Sequence, residues 1–155
     1  VKTHRDRTLF FDILPFDIGM INGNNIKIQL YTVPGQVKYN ATRRLVLRGV
    51  DGVVFVADAM TVRREKNIQA FENLQENLAS YKKNLNALPW VMQYNKMDLL
   101  EQGIPLLPVE VLERDLNREF HAPHFPASAV KGTNVAATLK KIISLTIASI
   151  KKELL

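Results

Sequence analysis

Two strongly apolar runs decide what kind of fold this chain can adopt. Val53-Val54-Phe55-Val56-Ala57 is an unbroken β-branched and aromatic stretch, and Trp90-Val91-Met92-Gln93-Tyr94 is close to one. Such runs suit strands covered on both faces, as in the middle of a parallel sheet. Parallel strands need a crossover, and residues 64–84 supply it. There Ile68, Phe71, Leu74, Leu78 and Tyr81 recur at the spacing of one helix face, with Asn84 and Pro89 bracketing the exit. The pattern predicts an α/β domain: a mostly parallel sheet with helices on both faces.

The flanking segments fit the same plan. Ile26, Ile28 and Leu30 alternate with Lys27, Gln29 and Tyr31, and Asn22-Gly23-Asn24-Asn25 tolerates positive φ, so residues 9–18 and 26–33 read as an antiparallel hairpin. Tyr39 to Arg48 has helix composition and is closed by Gly49. Pro108 opens a helix from Val109 to Phe120. Phe125-Pro126-Ala127 is a weak strand signal. Residues 134–153 form a closing helix with Val135, Leu139, Ile142, Ile143, Ile147 and Ile150 facing inward. No repeat or linker divides the 155 residues, which are expected to form a single domain, 1–155.

Composition removes several classes of function. With no cysteine, the chain has no disulfide framework, thiolate metal site or cysteine nucleophile. No apolar run approaches the length of a membrane-spanning helix, about 18 residues or more. The formal charge of +6 comes from 21 basic and 15 acidic residues, but the basic ones are dispersed in pairs such as Arg43-Arg44, Lys82-Lys83 and Lys140-Lys141. Without interleaved aromatics they do not make a nucleic-acid surface. An acidic partner or an anionic surface suits them better.

In an open α/β sheet the ligand sits at the carboxyl ends of the strands. Asn95-Lys96-Met97-Asp98 follows the strand 90–94. Read blandly, it is a polar turn with a solvated lysine and a capping aspartate. It also resembles the Asn-Lys-x-Asp tetrapeptide with which Ras-like small GTPases read guanine, whose aspartate accepts two hydrogen bonds, from N1–H and the exocyclic amine, which adenine cannot offer. The lysine stem then covers the base face, and the asparagine ties the loop to its neighbours. Thr32-Val33-Pro34-Gly35-Gln36 ends the strand 26–33, and Ala127-Ser128-Ala129-Val130-Lys131-Gly132 follows the weak strand near residue 125. Each alone is an ordinary turn. In this order, each at a strand end and followed by a helix, they resemble the motifs of Ras-like small GTPases, which have a P-loop NTPase-like fold.

The resemblance narrows further. Arg7-Thr8-Leu9-Phe10-Phe11-Asp12-Ile13-Leu14-Pro15, Leu30 to Val37 and Leu47 to Asp58 look like the bacterial MglA-type GTPases of gliding motility and cell polarity. The Thr-Val-Pro-Gly-Gln form, with Thr32 where other Ras-like proteins carry a Mg²⁺-side aspartate, is distinctive of that family. The similarity covers essentially the whole chain. It implies a cytoplasmic GTP-binding switch, with recruitment to a cell pole as one option, that hydrolyses GTP to GDP with Mg²⁺ to control polarity or motility. Gln36 would position the hydrolytic water, and Arg7 would be an arginine finger supplied in cis. Gly35 would meet the γ-phosphate. Thr8 is a candidate Mg²⁺ ligand, and Thr32 belongs to the same phosphate and metal switch. Asn95, Lys96 and Asp98 would read guanine, helped by Ser128, Ala129 and Val130. The family's partners are a roadblock-fold (MglB-like) activating protein and polarity or motility effectors. Its hairpin corresponding to residues 9–33 changes register between nucleotide states.

One family feature has no counterpart. The sequence contains no G-x-x-x-x-G-K-S/T phosphate loop. That loop, its strand and its helix would need roughly a few tens of residues ahead of Arg7. The expectation is an N-terminally incomplete domain, in keeping with a start at Val1 rather than methionine. The alternatives are a non-hydrolysing Ras-like interaction module that has lost the loop, or another chain that supplies it.

Overall fold

Asn22 and Gly23 both take positive φ, 50° and 81°, which turns the chain back on itself in a two-residue hairpin loop. The computed structural model describes residues 13–33, 35 and 37–154. Strand β1 (Ile13–Ile21) pairs antiparallel with β2 (Asn24–Tyr31), with Ile21 opposite Asn24. The expected hairpin is therefore present. Its first strand runs on to Ile21, and its second begins two residues early, so the loop shrinks to Asn22-Gly23. Residues 9–12 lie outside the described residues. A bulge falls between Asp17 and Gly19, where Gly19 has φ 93° and donates its N–H to Asp17 Oδ1 at 2.9 Å. Along β2, Ile26, Ile28 and Leu30 are half-buried while Lys27, Gln29 and Tyr31 are exposed, the alternation of a one-sided strand. A 3₁₀ turn, Val37–Tyr39, leads into α1 (Asn40–Val46), which ends two residues before the expected Arg48.

The chain divides into two compact units between Gly49 and Val50. The second unit is built on a parallel sheet ordered β3 (Val53–Asp58), β4 (Trp90–Asn95), β5 (His124–Pro126). Helix α2 (Arg64–Ala79) crosses from β3 to β4, α3 (Val109–Leu116) precedes β5, and α4 (Val135–Leu154) closes the chain. The Phe55 ring meets Phe71 of α2 edge-on at 5.2 Å, whereas a Cβ at Gly52 would run into Thr146 of α4. Residues 52 and 55 point to opposite faces of a strand, so helices cover both sides of the sheet. On the α2 and α3 face, Phe71 is the hub of a cluster that also holds Trp90 and Phe120, with centroids 5.4–5.9 Å apart. Such ring pairs contribute about 0.5–1.5 kcal/mol each beyond their buried area.

Val91, Met92 and Tyr94 are fully buried, so β4 is the central strand expected of it. Along β3, Val56 is 54% exposed, and among the described residues β3 pairs with β4 alone. Helix α4 differs in one inward position: Val135 is 40% exposed, and the buried residue in its first turn is Thr138.

Candidate functional site

The three parallel strands deliver Asp58, Asn95 and the segment after Pro126 to one end of the sheet. β4 and β3 run in register with Asn95 beside Asp58. At Lys96 the backbone enters the left-handed region, φ 78° and ψ 26°, a conformation that costs a residue bearing a Cβ about 1 kcal/mol or more. That kink takes the chain abruptly out of the strand. Met97 N–H then reaches Ala127 O at 3.0 Å, and Asp98 sits in the first turn of a 3₁₀ segment, Met97–Gln102.

Asn95 staples three strand ends together. Its side-chain Oδ1 accepts from Ala129 N–H at 2.9 Å, and its main-chain carbonyl accepts from Ala59 N–H at 3.0 Å. Asp98 Oδ1 accepts from the Ser128 hydroxyl at 2.9 Å. Ser128 Oγ in turn accepts from Lys131 N–H at 3.2 Å, and Ser128 and Thr133 exchange two backbone hydrogen bonds that close the loop. A carboxylate has about four lone-pair sites. With Ser128 on one, Asp98 keeps capacity for a ligand that presents two adjacent N–H groups. Lys131 is drawn to Glu101, Nζ to Oε2 at 2.8 Å, and this hydrogen bond raises its pKa. Ser128 is buried, Val130 is 90% exposed, and Asp98 lies between these limits. The loop therefore has a fixed base and an open rim.

Lys96 Nζ donates to Asp58 Oδ2 at 2.8 Å. Asp58 is itself held: its Oδ1 accepts from Met60 N–H at 3.0 Å, and Asn67 bonds both its main-chain groups, at 2.8 and 3.1 Å. Asp58 received no role from the sequence. Its partner comes from the neighbouring strand, and the register that sets Asp58 beside Asn95 is not written in either strand alone.

Behind the strand end, Tyr94 is fully buried and donates to Glu113 Oε1 at 2.7 Å. Burial, reinforced by Glu113, raises its phenol well above the ordinary value. His124 Nδ1 lies 3.0 Å from the same carboxylate oxygen. This network ties α3 to β4 and β5 and steadies the site from below.

Of the sequence-derived site residues, the structure brings together Asn95, Lys96, Asp98, Ser128 and Ala129, with Val130 on the same loop. Thr32 and Gly35 follow β2 in the first unit, and both are exposed. A Cβ on Gly35 would meet nothing within 4 Å, so packing among the described residues does not demand a glycine there. Arg7, Thr8 and Gln36 lie outside the described residues.

A model of the Ras family matches residues 2–148. The chain belongs to the Ras family. It is also 46% identical, over 152 residues, to the mutual gliding-motility protein MglA of Myxococcus xanthus strain DK1622, covering 98% of this chain and 75% of that protein. Within the Ras family the chain is thus of the MglA type, a small GTPase whose ligand class is the guanine nucleotide. The α/β fold, P-loop NTPase-like in kind, agrees with that membership.

No helix among the described residues is long and apolar enough to cross a membrane. Nor, among them, do three or more His, Asp or Glu residues cluster so as to hold a metal ion. Thr32 offers a hydroxyl and no carboxylate. Such a donor set suits a Mg²⁺ that takes most of its oxygens from nucleotide phosphates and water, as Mg²⁺ commonly does.

Proposed function

We propose that this protein is a molecular switch that binds GTP, hydrolyses it to GDP and controls bacterial cell polarity and gliding motility, working as one small-GTPase domain. The observation carrying the reading is the clasp between the Asn95–Asp98 loop and Ser128-Ala129. Asp98 accepts the N1–H and exocyclic amine of guanine while Ser128 holds its carboxylate in place. The Lys96 stem covers the base, and the exposed stretch at Val130, beyond the Ala129 N–H that Asn95 holds, faces O6. Asn95 keeps the two loops at a constant separation.

At the phosphate end, Gly35 lets the backbone approach the γ-phosphate without a Cβ in the way. Gln36 orients the attacking water. Arg7 neutralises charge spreading over the phosphoryl oxygens, for which a planar guanidinium is well shaped. Thr8 would hold Mg²⁺ or its water, and Thr32, neutral where an acid is usual, would belong to the same switch. The bound metal supplies charge neutralisation at the β- and γ-phosphates. A roadblock-fold (MglB-like) protein aligns Arg7 and Gln36, and the GTP state engages polarity or motility effectors in the cytoplasm or at a pole. The family relative's name, gliding-motility protein, supports this assignment.

The test is phosphate release from GTP by the full-length protein with Mg²⁺, with and without the roadblock partner. Gln36→Ala and Arg7→Ala should each lower the stimulated rate by about 10²-fold or more, the scale of losing a transition-state donor. Unchanged stimulated hydrolysis in either variant contradicts the role given to that residue.

A further inference from the structure

We infer that Asp58 is a positioning residue for nucleotide binding, acting through Lys96. The inference rests on the guanine-binding reading above and extends it to a residue outside the three motifs. The strand register sets Asp58 beside Asn95, so the acid and the following lysine are neighbours by construction of the sheet. Their contact, 2.8 Å from Nζ to Oδ2, is short and charge-assisted. The acid is the fixed partner. Met60 N–H occupies its other oxygen, and Asn67 grips its N–H and C=O. The lysine is the movable partner, with a four-carbon stem whose rotamers are costly to fix.

Holding the far end of a lysine stem lowers the entropy cost of laying it over a base. The left-handed backbone at Lys96 sets where the stem begins, and Asp58 sets where it ends. The stem between them is thereby laid out before the ligand arrives. The side chains of Lys96 and Asp58 remain 40% and 24% exposed, so the pair lies within reach of a ligand rather than sealed in the core. Arg63 Nε stands 3.9 Å from the same Oδ2 and is the competing cation. Its contact is longer than that of Lys96 and it starts from the turn after β3 rather than from the Asn95–Asp98 loop, so its loss should leave the Lys96 contact in place.

The experiment is a double-mutant cycle in the full-length protein, following displacement of fluorescent mant-GDP by excess GDP. Asp58→Asn keeps an acceptor for Met60 N–H and removes only the charge. It should raise the dissociation rate about fivefold, the scale of one partly exposed charged contact, with little change in association. Lys96→Met should raise that rate as well, and adding Asp58→Asn to it should change nothing further. Adding Asp58→Asn to Arg63→Gln should still give the full effect. Asp58→Glu, which keeps the charge, should recover part of the loss. An unchanged or slower dissociation in Asp58→Asn overturns the inference, as does an effect that simply adds to that of Lys96→Met. Those results leave the guanine reading standing. Failure of the wild-type protein to bind mant-GDP overturns both.

Discussion

Asn117 is 1% exposed, and its side-chain amide completes hydrogen bonds that the backbone around it cannot. Its Nδ2 donates to Ala122 O at 2.9 Å and to Glu113 Oε2 at 3.0 Å, while its Oδ1 accepts from Ala122 N–H at 2.8 Å. Replacing it with alanine would strand two main-chain groups in the interior and leave a void. Asn117→Ala should therefore cost about 2–4 kcal/mol. Urea unfolding would register this as a lower midpoint at unchanged slope. A midpoint within error of wild type would mean that water replaces the amide without penalty. The same side chain explains why α3 stops at Leu116 and not at the expected Phe120. An asparagine that bonds the backbone five residues ahead competes with continuation of the helix. Composition and periodicity do not reveal that competition, because the partner is a main-chain group in a turn.

Among the elements, those defined by burial alone were the most legible in the sequence. Trp90–Asn95 is a strand because five successive residues, Trp90 to Tyr94, must leave water. The Asn22-Gly23 turn was equally plain, since left-handed backbone favours those residues. Helix ends were less so. Periodicity carried α2 on to Tyr81 and beyond, yet the helix ends at Ala79 and the chain leaves through Lys82 at φ 59°. Lys83 N–H then bonds back to Leu78 O at 3.0 Å, the closing bond of a helix exit of the kind glycine usually makes. A lysine gives no sequence sign of that conformation. Because it pays the Cβ penalty, Lys82→Gly should stabilise the protein by about 0.5–1 kcal/mol. Thermal unfolding should rise by about 1–4 °C. A lower midpoint would show that the flexibility glycine adds to the unfolded chain outweighs the relieved strain. Asp58 was illegible for a different reason: its importance lies in which strand lies beside it, and register is not written in a single strand.

For the molecule as a whole, the residues proposed to read the base all belong to the second unit, from Asn95 to Val130, whereas Thr32 and Gly35 belong to the first. The motifs proposed for the base stood out in the sequence because their residue types and order are chemically restrictive, and the structure brings their residues together. Those for phosphate chemistry rest more on family membership, with Arg7, Thr8 and Gln36 outside the described residues. Base selection and hydrolysis should consequently separate under mutation, the first following Asp98 and the second Gln36. The central claim concerns the base. Full-length protein titrated with GDP and with xanthosine diphosphate tests it most directly. Wild type should prefer GDP by about 10²-fold, the worth of a pair of charge-assisted hydrogen bonds. Asp98→Asn, whose amide can donate to the C2 carbonyl of xanthine, should reverse the order. Equal affinities in the wild type, or an Asp98→Asn variant that still prefers GDP as strongly, would contradict the assignment of Asp98 as the guanine reader.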